Sequence, residues 1–209
     1  MNVEHAEINN GLPKKTRILK SEMKNLFAFF LFATFILSSC QTRSKDETEM
    51  YKINSGEYAS SSGNFVVKFP MKPTLKIIDS QVGTDQHKVY YYEAVMGAQR
   101  IYGAEYIDFP ESVIKSWGKD QPYNQILKTL ESQYKGVFIL SKQKPVEQHG
   151  LKGQYFEFTL NPNAKVPQGV KGGIKGNIFF VKNRVYSVRY LGENQEQVEP
   201  FLKSFRLME

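Results

Sequence analysis

The feature that most constrains this chain is the run Leu26-Phe27-Ala28-Phe29-Phe30-Leu31-Phe32-Ala33-Thr34-Phe35-Ile36-Leu37, which is followed by Ser38, Ser39 and the chain's only cysteine, Cys40. The run is twelve residues long and uncharged. Crossing a bilayer as a helix takes ~20 apolar residues, whereas the apolar core of a secretory signal takes ~7–15. The polar stretch Gln41-Thr42-Arg43-Ser44-Lys45-Asp46-Glu47 begins at once, so the run does not extend into a membrane span. Residues before Cys40 therefore belong to export and not to a folded core. What folds lies beyond Cys40 and contains no cysteine, which excludes disulfides and zinc–thiolate sites from it.

Leu37-Ser38-Ser39-Cys40 resembles the bacterial lipobox, a Leu-small-small-Cys signature at the end of a signal peptide. The resemblance implies cleavage after Ser39 and lipidation of Cys40, whose sulfur is the strongest nucleophile among side chains near neutral pH. Two or more acyl chains give stable anchoring, at ~0.8 kcal/mol per buried CH₂. Residues 1–22 carry Glu4, Glu7 and Glu22 and fit a signal badly, whereas Met23-Lys24-Asn25 opens a compact one. We expect translation to start at Met23 and the signal to span 23–39. Gln41 is not the aspartate that holds lipoproteins of this kind in the inner membrane, so an outer-membrane site is expected. Lys45-Asp46-Glu47 is similar to the Lys-acidic-acidic surface-export signal of some bacterial lipoproteins. Which side of the membrane the protein faces stays open.

Residues 41–209 suffice for one domain with a sizeable core. Five of the 28 Lys and Arg and three of the 21 Asp and Glu fall in residues 1–40, which leaves 23 against 18 and a formal charge of +5. The lysines Lys68, Lys72, Lys88, Lys128, Lys152, Lys175 and Lys203 are dispersed. Nucleic-acid binders gather their charge on one face, so no nucleic-acid partner is expected. A modest positive field suits solubility and, more weakly, anionic lipid or polysaccharide.

Residues 40–62 are polar, ending in Ser60-Ser61-Ser62-Gly63, and read as a lipidated tether to a domain over 63–209. From Asn64 the pattern alternates with period two. Strands are expected at 64–69, 75–78, 88–96, 100–107, 137–140, 154–160, 177–181 and 184–190. Met96-Gly97-Ala98 reads as a turn, and Lys182-Asn183 as a two-residue hairpin in which asparagine takes positive φ. Pro110 opens a short helix carrying Val113, Ile114 and Trp117. A second helix follows Pro122, with Tyr123, Ile126, Leu127, Leu130 and Tyr134 on one face and Gly136 at its end. Val198, Phe201, Leu202 and Phe205 mark a closing helix, with Asn194 and Gln197 spaced as a capping box; Pro200 starts or bends it. The fold class is α+β, a mainly antiparallel β-sheet with a central and a C-terminal helix packed on it.

The stretches Phe65-Val66-Val67-Lys68-Phe69-Pro70-Met71-Lys72-Pro73, Tyr106-Ile107-Asp108-Phe109-Pro110, Arg184-Val185-Tyr186-Ser187-Val188 and Phe201-Leu202-Lys203-Ser204-Phe205 resemble the PsbP-like group of α/β/α sandwich domains. The resemblance covers residues 64–207 and implies that fold and a binding or scaffolding role in membrane complexes. It implies no catalytic residue. Trp117-Gly118-Lys119-Asp120 interrupts what would be one long helix in that group.

Sites of chemistry are sparse. His87 and His149 lack the acidic companions of a metal site, no Gly-x-Ser-x-Gly elbow is present, and no metal or cofactor is expected. The loop 168–176 is glycine-rich and basic without phosphate-loop spacing; Lys165, Lys171 and Lys175 on it form a candidate anion edge. Tyrosine is abundant at 90, 91, 92, 102, 106, 155, 186 and 190. Such rings pack beneath a covering layer. Exposed members of the alternating set Tyr102, Tyr106, Tyr186 and Tyr190 would be the candidate contact surface. The functional expectation is a lipid-anchored, non-enzymatic envelope protein that binds or assembles with a partner. The alternatives are a carrier of a small apolar or aromatic ligand in a sheet–helix cleft, and a hydrolase.

Overall fold

Periodicity predicts eight strands and three helices; the computed structural model adds strands at both ends of the domain, Tyr51–Asn54 and Glu57–Ser60 before them and Arg206–Leu207 after them. It describes residues 50–208 apart from 83–84, 98–99, 118–120, 165–170 and 194–195. The signal, Ser39 and Cys40 lie outside the described residues.

Two antiparallel sheets form the framework. The small sheet has the order β1-β2-β3-β11, from Tyr51–Asn54, Glu57–Ser60, Phe65–Lys68 and Arg206–Leu207. The large sheet has the order β4-β5-β6-β10-β9-β8-β7. Its strands are Thr74–Val82, Asp85–Met96, Arg100–Asp108, Arg184–Gly192, Gly173–Val181, Leu151–Leu160 and Phe138–Gln148. Helices α1 (Glu111–Trp117) and α2 (Gln121–Tyr134) follow β6, and α3 (Val198–Lys203) precedes β11. The α+β reading holds, with a mostly antiparallel sheet and few helices.

Alternation along each strand sends successive side chains to opposite faces of the large sheet. Tyr92, Tyr102, Tyr106, Tyr186 and Tyr190 share one core with Phe65, Val67 and Phe69 of the small sheet and Phe201 and Phe205 of the C-terminal segment. Val185, Ile178, Ile174, Phe156 and Phe158 face the other way and share a second core with Leu127 and Leu130 of α2. The large sheet is thus covered by the small sheet on one face and by helices on the other.

Several expectations are corrected. Residues 51–60 are strands and not part of a tether; Ala59 and Ser60 are fully buried, and Met50 already joins the core. The ordered domain therefore begins at least thirteen residues before the expected boundary at 63. β7 runs on to Gln148 through Lys142-Gln143-Lys144-Pro145. It is an edge strand, mostly exposed, so it tolerates lysines and a proline that would break an inner strand. In the β9–β10 turn the positive φ (58°) falls on Lys182, while the Asn183 side chain donates to the Phe109 carbonyl at 3.2 Å. α3 starts at Val198, and Gln197 caps it with no side-chain bond. Pro200 fits inside the first turn, where an N–H has no helical partner anyway. Phe205 lies beyond the helix yet is wholly buried, stacked on Phe179 with centroids 5.4 Å apart.

Candidate functional site

The four tyrosines proposed as a contact surface are all buried, at 1–3% exposure. That expectation is overturned, because the small sheet supplies a covering layer. Tyr102 packs edge-on against Tyr190 and Phe201, with centroids 5.0 and 5.1 Å away. Tyr106 and Tyr186 flank Phe65 at 6.4 and 6.0 Å.

Their hydroxyls lead to the serine-rich turn between β2 and β3. Tyr106 Oη donates to Ser62 Oγ at 3.0 Å, and Tyr186 Oη donates to the Gly63 carbonyl at 2.9 Å. Tyr92 Oη and Ser60 Oγ share a bond of 2.9 Å, and Ser60 Oγ also accepts the Gly63 N–H at 3.0 Å. Arg184 closes the group: Nη1 donates to the Ser62 carbonyl at 2.8 Å, and Nε and Nη2 grip Asp108 at 2.6 and 2.7 Å. Its guanidinium lies 4.5 Å over the Tyr106 ring. Burial pushes the Tyr106 hydroxyl up to about 12 and the Ser62 bond pulls it partly back. Burial also raises Tyr92 and Tyr186. The bond to Asp108, foremost, keeps Arg184 firmly charged. Chemically this is a structural network: the sheet's tyrosines fasten the turn that the sequence presents as tether.

The other face of the large sheet carries a different cluster. Lys76, Tyr91, Glu105 and Ser187 stand in one cross-strand row, and Glu93, Gly103 and Arg189 in the next. Arg189 Nη2 donates to Glu105 Oε2 at 2.8 Å and stacks 5.0 Å over Tyr91; Lys76 pairs with Glu93. Gly103 leaves room for the Tyr91 ring, since a Cβ there would sit 2.7 Å from Tyr91 Oη. Burial acts to lower the Arg189 pKa, but the Glu105 carboxylate outweighs it and the net direction is up. Tyr91 is raised, chiefly by burial. Sequence reading missed this cluster because its members are dispersed over four strands; only the charged residues within strongly β-forming stretches signalled it.

The anion edge is not assembled as expected. Lys165 lies outside the described residues, Lys171 is exposed, and Lys175 is paired to Glu157 at 3.4 Å. His87 is buried against Phe109, with ring centroids 4.8 Å apart. His149 shares a 3.0 Å bond between Nε2 and the Lys203 carbonyl. Neither ring is turned toward a serine or carboxylate by any bond among the described residues.

No protein-family model matches the chain, and no curated protein matches it either. Among solved structures it is similar to the solution structure of cyanobacterial PsbP (CyanoP) from Synechocystis sp. PCC 6803. The TM-score is 0.49 at 10% identity, over 82% of this chain and 98% of that one.

Proposed function

We propose that this chain is a lipid-anchored cell-envelope protein, held by Cys40 in the outer membrane, which works as a non-enzymatic binding or assembly module. The observation that carries the anchor is the Leu37-Ser38-Ser39-Cys40 signature directly behind a twelve-residue apolar run. The early start of the domain supports the reading. Ten steps from Cys40 to Met50 reach no further than about 35 Å even when fully extended, so the domain stays close to whatever holds the cysteine.

Filled interiors favour surface binding over carriage of a ligand. On the helix side Phe156, Phe158, Ile174 and Ile178 are at 0–1% exposure, and on the other side Tyr106 and Tyr186 are buried and bonded to the β2–β3 turn. A cargo in the sheet–helix cleft would have to displace these side chains. The deciding experiment is metabolic labelling with a palmitate analogue and membrane fractionation, on wild type and Cys40→Ala. Label and outer-membrane association that vanish in the variant are expected. Unlabelled wild type would overturn the proposal.

A further inference from the structure

We infer that the edge made by β1 and the β3–β4 loop is a membrane-contact surface for anionic phospholipid. The inference rests on the anchor reading above and adds which side of the domain lies on the bilayer.

β1 is exposed along its whole length, and it is an edge strand. Tyr51 and Ile53 keep 48% and 39% of their surface in water. Met71, at 50%, follows within the loop after β3. The Phe69 N–H donates to the Gly56 carbonyl at 2.9 Å, which brings that loop to the same end of the small sheet as the β1–β2 turn. Of the large apolar side chains left in water among the described residues, the others are Ile77, Val95 and Ile139, on β4, β5 and β7. An aromatic and aliphatic side chains protruding beside lysines suit the boundary between headgroups and acyl chains.

Charge points the same way. Lys52 is exposed on β1, and Lys68 is exposed at the end of β3, where the loop begins. The neighbouring carboxylate, Glu57, is engaged by Arg206 at 3.0 Å and by Asn54 at 3.1 Å. Those bonds, Arg206 first, hold its pKa below the usual carboxylate range. With Glu57 paired to Arg206, Lys52 and Lys68 leave this part of the small sheet positive. Residues 41–49 carry two basic and three acidic side chains, so attraction to an anionic surface resides in the domain and not in the tether.

Position in the chain selects the bilayer as occupant. β1 begins eleven residues after Cys40 and is the first of the described elements, and Met50 just before it is buried in the core. A lipid on Cys40 would be joined to this strand by a shorter stretch of chain than to any other described element.

The test uses the mature protein purified from membranes and reconstituted into phosphatidylcholine vesicles with or without phosphatidylglycerol. Polarity-sensitive fluorophores are placed on Ile53→Cys, Met71→Cys and, as a control on the β7 edge, Ile139→Cys. Wild type labelled in parallel reports whether Cys40 has a free thiol. We expect the protein to float with the vesicles. We also expect the probes at 53 and 71 to shift to the blue with phosphatidylglycerol and the probe at 139 to stay in water. Lys52→Gln and Lys68→Gln should each weaken the preference for anionic vesicles about fivefold. Flotation with both edge probes in water overturns the surface but keeps the anchor. A chain that does not float and labels at Cys40 overturns the anchor. In that case an edge-probe shift on adding anionic vesicles still supports the surface, and the lack of one overturns it too.

Discussion

Ser60 and Ser187 are both buried, one against each face of the large sheet, and their hydroxyls meet different fates. Ser60 Oγ is held by Tyr92 and by the Gly63 N–H. Ser187 Oγ has no hydrogen-bond partner among the described residues, although Glu105 stands opposite it in the ladder. The first face is an aromatic core in which the hydroxyls of Tyr92, Tyr106 and Tyr186 find partners in one turn. The second is an apolar core under α2 that gives way, toward β5 and β6, to ion pairs lying flat on the sheet. Polarity is thus bonded across layers on one face and within a single layer on the other. A cross-layer bond holds two sheets in register. A within-layer pair leaves the covering layer free to move.

Alkaline pH should break the comparison most completely. Tyr106, raised to about 12 against an ordinary 10.0, keeps its proton in the folded state while the unfolded chain has lost it. The unfolded state then binds fewer protons, so stability falls as pH rises from about 10 to about 12. Tyr92, Tyr186, Tyr91 and Tyr155 are raised as well, each chiefly by burial, and add to the loss. Circular dichroism against pH should show one cooperative transition in that window. An alkaline transition starting well below pH 10 would contradict it.

Phe65→Ala comes next. The ring meets Tyr92, Tyr106, Tyr186 and Phe205 with centroids 5.4–6.4 Å away, and its loss should cost about 3–5 kcal/mol by urea unfolding. On the other face, Arg189→Met should cost about 2–3 kcal/mol, since Glu105 is left poorly hydrated and unpaired. Adding Glu105→Gln should restore part of that. If the double variant is no more stable than Arg189→Met alone, the loss does not come from a stranded carboxylate.

The two serines give the finest test. Ser60→Ala removes a shared partner of Tyr92 and Gly63 and should cost about 1–2 kcal/mol. Ser187→Ala should change stability by less than about 0.5 kcal/mol or raise it, because an unbonded buried hydroxyl is deleted. Equal losses in the two variants would erase the distinction between the faces.

Strand alternation and helical spacing made β3, the seven strands of the large sheet, α1 and α2 readable, wholly or in part, because each turns Val, Ile, Leu, Phe or Tyr toward one of the two cores. The small sheet was unreadable at its edges for a physical reason. Ser60-Ser61-Ser62-Gly63 has the composition of a linker, and its partners are tyrosines 32 to 123 positions away. Missing that layer left the tyrosines of β6 and β10 looking free to face solvent. The two misreadings are therefore one. β7 escaped notice beyond Leu140 because an edge strand has only half its bonds to satisfy and can be written in lysine, glutamine and proline. The charge cluster at Arg189 depends on β5, β6 and β10 lying side by side, an order that no local pattern encodes.

β11 has a consequence for the timing of folding. Leu207 and Arg206 pair with Phe65 and Val66, about 140 positions earlier, and Phe205 just before them closes over Phe65 and Phe179. A nascent chain can build hairpins as it emerges, but it has nothing to lay over Phe65 until those late residues exist. Contacts so distant in sequence form slowly and near the end of the folding route. A chain interrupted before residue 205 would leave its largest aromatic cluster bare to water, and quality-control proteases would meet it in that condition. The domain in effect carries a check on its own completeness.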